Sequence, residues 1–224
     1  RFSLTSQDFH SFSPAPNSQG CYETTLPSIV LNSKALPWER ALAEGMPEPW
    51  IALLVLKEEE LLVAQGDLAK TQNNPTKTIT LPLNQLLNPG TGILGPQLTA
   101  DSLKGEDLQQ TLLAIEITPQ TFSTLVPSLN ELPYLAHCRQ VNTDDKEDSL
   151  VGSPGWFSVV MSNRFPEADS SSTRYTVHLV SLEGFASYLN GGSIPSTYQR
   201  VRVVSLTSWS FTNLSEPREN FDTL

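Results

Sequence analysis

The clearest pattern along the chain is in its last third. WFSVVMSN (156–163), YTVHLVSL (175–182) and RVRVVSLTSWSF (200–211) are runs of β-branched and aromatic residues, separated by segments rich in Pro, Ser, Asn and Gly. Such runs predict strands, because branched and aromatic side chains fill a pleated, half-buried surface. Within the third run Trp209 and Phe211 alternate with Ser208 and Ser210, which predicts an inward aromatic face and an outward hydroxyl face. V-x-x-V-S-L occurs at 177–182 and again at 201–206, a spacing of 24 residues. The interval holds a short helical pattern, Glu183–Leu189, and then Gly-Gly-Ser. Both a crossover to a parallel neighbour and an elaborated hairpin fit it.

Upstream the signals are shorter. The first twenty residues, with prolines at 14 and 16, read as an irregular arm or one short edge strand. LPSIVLN (26–32) is a β-branched run. LPWERALAEG (36–45) predicts a short helix, with Pro37 in the first turn and Gly45 as its stop. The uninterrupted apolar stretch Trp50–Leu56 suits a strand buried on both faces, with a buried helix as the competing reading. Residues 64–110 form a Gly/Asn/Gln/Pro-rich excursion, broken by KTITLPL (77–83), which alternates as a half-exposed strand does. TLLAIEI (111–117) is a further strand. Thr118-Pro119 then sets a cap residue before proline, predicting a helix over Gln120–Val126. Ser128–Cys138 continues as a second helical segment interrupted by Pro133, and 142–155 is an acidic, turn-rich loop. The sum is six or seven strands and three or four short helices: an α+β, β-rich single domain over 1–224, with a mostly antiparallel or mixed sheet.

Composition narrows the possible partners. Charged residues make up 17% of the chain, below the usual roughly 25%. With 17 prolines, that favours turns over long solvated helices. The net charge of −10 argues against a nucleic-acid partner, since phosphate binding needs clustered Lys and Arg. The longest apolar run is seven residues against the roughly 20 a spanning helix needs, so a soluble chain without membrane insertion is expected. No basic segment followed by an apolar core marks a signal peptide. Cys21 and Cys138 are expected as thiols rather than a disulfide. Asn213-Leu214-Ser215 is a glycosylation triplet of a kind common by chance.

Candidate chemistry is sparse. The three histidines, His10, His137 and His178, stand in no metal-binding spacing. His178 lies between Val177 and Leu179 and points to the opposite strand face, towards solvent or a polar neighbour. Cys138 as nucleophile, with His178 as base and an acid from Asp144–Asp148, is the catalytic arrangement the residues allow. No serine-hydrolase elbow, dinucleotide fingerprint or P-loop is present, and no cofactor is implied. Glu58–Glu60 reads as the solvated end of an element. Asp144, Asp145, Glu147 and Asp148 crowd four acids into five positions, candidate calcium ligands against the plainer reading of a solvated loop. Of Trp38, Trp50, Trp156 and Trp209, Trp50 and Trp156 are expected in the core.

Five phrases, LPSIVLNSKALPWER, PWIALLVL, LPYLAHCRQV, WFSVVMSNRFP and VHLVSLEGF, resemble a family of uncharacterised large soluble microbial proteins in which they occur in this order. The likeness spans roughly residues 1–214, except 64–110. It implies a coherent domain of a longer polypeptide and transfers no activity, cofactor or site residue. The expectation is therefore a non-enzymatic structural or interaction domain of a larger protein or assembly. Its partners would be other proteins or other domains of the same polypeptide. Two alternatives are a hydrolase using Cys138 or a carboxylate pair from Glu58, Glu116, Asp144 and Asp145, and a calcium-assisted glycan-binding module built on Asp144–Asp148.

Overall fold

The computed structural model describes residues 3–63, 77–98, 103–141, 155–167 and 172–215. Its strands are β1 (Phe9–Ser13), β2 (Gln19–Gly20), β3 (Ser28–Leu31), β4 (Ile51–Lys57), β5 (Thr78–Pro82), β6 (Ile93–Leu94), β7 (Thr111–Ile117), β8 (Ala136–Val141), β9 (Gly155–Met161), β10 (Thr173–Ser181) and β11 (Arg200–Asn213). Four short helices accompany them: α1 (Leu83–Leu87), α2 (Pro119–Leu125), α3 (Leu132–Leu135) and α4 (Ala186–Leu189). One sheet has the order β1-β3-β9-β8; the other runs β4-β10-β11-β7-β5, with β2 and β6 attached in parallel to β11. The protein is β-rich, mostly antiparallel and α+β. Among the described residues no helix is long and apolar enough to cross a membrane.

The apolar run of β4 is buried on both faces because its two faces serve different cores. Ile51, Leu53 and Val55 point into a core between the sheets, with Ile29, Leu31, Val160, Tyr175, Trp209 and Phe211. Ala52, Leu54 and Leu56 point the other way, into a core closed by residues such as Phe122 and Val126 around α2, Leu132 of α3, and Phe185 and Leu189 around α4. A strand in the middle of three layers has no solvent face and so shows no alternation. On β11 the alternation holds: Trp209 and Phe211 are buried, while Ser208 is exposed and Ser210 half-buried.

β10 and β11 are antiparallel, which makes the interval between them an elaborated hairpin. The repeated V-x-x-V-S-L segments are not in matching register: they meet only at their ends, Val180 opposite Ser205, while Val177 is opposite Trp209. The register slips between Leu179 and Val180, the extra residue on β11 forming a bulge.

Two predicted helices are shorter than their sequence suggests. Over 36–45 only Leu36–Trp38 forms a 3-10 turn. The Trp50 indole Nε1 donates to the Leu36 carbonyl at 2.7 Å and the Trp50 amide to the Pro37 carbonyl at 3.0 Å, so an aromatic side chain distant in sequence takes acceptors a helix would use. Over 128–138 the helix is confined to Leu132–Leu135, and residues from Ala136 on pair with β9. The capped helix is found as expected: Thr118 Oγ1 accepts from the Thr121 amide at 3.0 Å, ahead of Pro119. The excursion is part of the body of the domain. Its described residues supply β5, α1 and β6, and Ile79, Leu81, Leu83 and Leu86 enter the inter-sheet core.

Candidate functional site

The residues proposed for catalysis stand apart. Cys138 is exposed on β8 of the four-stranded sheet, its Sγ donating to the Lys34 carbonyl at 3.1 Å. His178 is on β10 of the other sheet, 1% exposed, on the face of Leu54 and Val180 that turns away from the inter-sheet core. It meets a polar neighbour but not solvent. Its Nδ1 is 2.9 Å from Ser205 Oγ, placed within reach by the β11 bulge, and its Nε2 has no hydrogen-bond partner among the described residues. Burial disfavours the charged ring and pulls its pKa down to about 4. His137 lies next to Cys138 but points to the opposite face of the strand. Cys21 and Cys138 are not joined to each other. Asp144, Asp145, Glu147 and Asp148 lie outside the described residues.

The carboxylates have structural partners. Glu116, 1% exposed, faces Arg202 across the β7–β11 pair. Its Oε1 accepts from Arg202 Nε at 2.9 Å and Nη2 at 2.7 Å, and its Oε2 from Arg200 Nη1 at 2.7 Å. One carboxylate oxygen thus takes both bonds from Arg202 and the other is held by Arg200, a charge-assisted clamp from two arginines. Glu58 is exposed, its carbonyl accepting from Lys77 Nζ. Glu60, by contrast, accepts from Arg164 Nη1 at 2.7 Å and the Lys57 amide at 2.7 Å. Arg164 also holds Glu167 at 2.9 Å, and Lys57 reaches Glu167 at 2.6 Å. The hydrogen bond from Lys57, then that from Arg164, lowers the Glu167 pKa. Burial opposes the Arg164 charge, but Glu60 and Glu167 outweigh it and raise that pKa overall. Arg40 lies 4.4 Å from the Trp50 ring centroid and 3.5 Å from the buried carboxylate of Glu183, so three segments far apart in the chain converge on one point.

The glycosylation triplet is absorbed into the fold. Asn213 is 2% exposed, its Oδ1 accepting from the Tyr22 amide at 2.6 Å and its Nδ2 donating to the Glu167 carbonyl at 2.9 Å. A hollow of about 390 Å³ beside α1 and β6, lined by Leu87, Asn88, Pro89, Ile93, Gln97 and Tyr198, receives no carboxylate, histidine or thiol from the described residues.

The sheet edges differ. Main-chain N–H and C=O groups at an open edge form a template for another strand, and folded proteins usually blunt it. β1 has a register break between Phe9 and Ser11. β4 is covered: Leu53 bridges to Ser162, and Arg164 Nη1 donates to the Val55 carbonyl at 3.0 Å. β5 ends in Pro82, which has no N–H to offer. β8 has none of these features. It is six residues without proline or bulge, exposed from His137 to Val141, and no described strand pairs its outer edge.

Large apolar side chains surround that edge: Tyr134 is 84% exposed and Trp156 41%. Trp156 is thus not in the core; it sits one residue into β9, opposite Gln140, with Lys34 Nζ 5.6 Å from its ring centroid. The His10 ring packs tilted against Phe157, centroids 4.6 Å apart, on the other face of the sheet. Read by itself, LPYLAHCRQV looks helical up to Cys138, which hid the edge; its one strand signal is the alternation His137, Arg139, Val141. The chain matches no family model, no curated protein and no solved structure.

Proposed function

We propose that this is a non-enzymatic interaction domain that engages another protein, or another part of its own polypeptide, by adding a strand to β8. The observation carrying this reading is the contrast among edges: three are interrupted, covered or ended by proline, while among the described residues no strand pairs the outer edge of β8. In strand addition the main-chain hydrogen bonds supply affinity and the flanking side chains supply selectivity. Tyr134 and Trp156 provide the large, rigid aromatic area that interface centres favour. Glu116, Glu60 and Glu167, each engaged by arginine or lysine, serve the fold.

The test is amide hydrogen exchange of β8 in the presence of a panel of strand-forming peptides about eight residues long, enough to span a typical strand. At least one peptide is expected to protect β8 and to lose its binding in Gln140→Pro, which removes an edge N–H. Absence of protection by every member, binding that leaves β8 exchange unchanged, or cleavage of a bound peptide would refute the reading.

A further inference from the structure

We propose that the strand docking on β8 belongs to a partner with acidic side chains, Asp or Glu, at alternate positions. This rests on β8 being a docking edge and names the chemistry of its occupant. The protein carries a net charge of −10, yet β1, β3, β8 and β9 contain no Asp or Glu. Their ionisable side chains are His10, His137, Arg139 and Cys138, and Lys34 lies against Trp156 at the same end of the sheet.

Alternation sorts these groups. His137, Arg139 and Val141 share one face of β8, backed by Val159 and Phe157 with His10 on it. Cys138 and Gln140 share the other, beside Ser158 and Trp156. A strand laid along β8 sets every second side chain across from His137 and Arg139, where Arg139 offers a carboxylate a cationic partner and a lysine a like charge. Positions in between face a thiol and an amide, which favour neither sign. The acids at 144–148 lie outside the described residues and enter no part of this argument.

Two capped peptides of about eight residues, alternating Thr with Glu and Thr with Lys, separate charge from strand formation. Fluorescence anisotropy should show the Glu peptide binding about tenfold more tightly, a gap set by attraction replacing repulsion at the cross-strand sites. Arg139→Glu, a change on an exposed strand, should reverse the order. Equal protection of β8 by both peptides would overturn the acidic partner while leaving strand docking intact; protection by neither would remove both. Preference for the Lys peptide, a Glu preference that survives in Gln140→Pro, or a concentration-dependent dimer that protects β8 without peptide would also overturn it.

Discussion

His178 makes this protein's stability sensitive to acid within a defined window. In the unfolded chain an imidazole takes its proton near pH 6.5, whereas the buried ring in the fold does so only near pH 4. Between those values the unfolded state binds one more proton, so stability must fall as the pH falls. The full separation corresponds to about 3 kcal/mol, and the part lost between pH 7 and pH 5 is about 2 kcal/mol, because at pH 5 the folded ring is still mostly neutral.

The perturbation is His178→Leu, which keeps an apolar side chain of similar reach between Leu54 and Val180 and removes the titrating group. It costs the Ser205 hydrogen bond, about 1 kcal/mol, at every pH. The assay is urea unfolding at pH 7 and pH 5, followed by tryptophan fluorescence, with unfolding free energies extrapolated to water. His10, His137 and the carboxylates are common to both proteins and cancel in the comparison. The wild type should lose about 2 kcal/mol more than the variant between the two pH values. Equal losses would refute the claim that His178 is buried uncharged, with no partner for its Nε2 among the described residues.

Other consequences follow from packing. Trp50→Ala should cost about 3–5 kcal/mol, since the ring is 2% exposed and anchors Leu36, while Trp156→Ala should cost under about 1 kcal/mol; paired urea titrations measure both. Gly184 has φ +79°, and a Cβ there would lie 2.6 Å from the Gln97 amide nitrogen, so Gly184→Ala should lower stability by at least about 2 kcal/mol and depress Tm by several degrees. Glu116→Gln leaves Arg200 and Arg202 facing each other without a carboxylate, and calorimetry should register a loss of about 3–5 kcal/mol.

Strands with a single consistent environment were legible. β4, β9, β10 and β11 were visible because hydrophobic content and β-branching agree over their whole length. The α2 cap was legible because Thr118 and Pro119 act within one turn. The two shortened helices were not, because their limits are set by Trp50 capturing carbonyls from Leu36 and Pro37, and by β9 capturing Ala136–Val141. Apolar area alone argues for Trp156 inside, but its place at the start of β9, opposite Gln140 of the lateral strand β8, leaves it 41% exposed with Lys34 over the ring.

The lateral place of β8 was invisible for the same reason: whether a strand is central or lateral depends on which other strands pair with it. Local chemistry therefore determined what each segment is able to become, through backbone preference, capping and the spacing of apolar side chains. Tertiary pairing decided the rest. It buried His178 in one sheet and set Cys138 on a surface in another, gave Glu116 two arginines, and left the outer edge of β8 without a described strand, because each outcome depends on contacts between residues far apart in the chain.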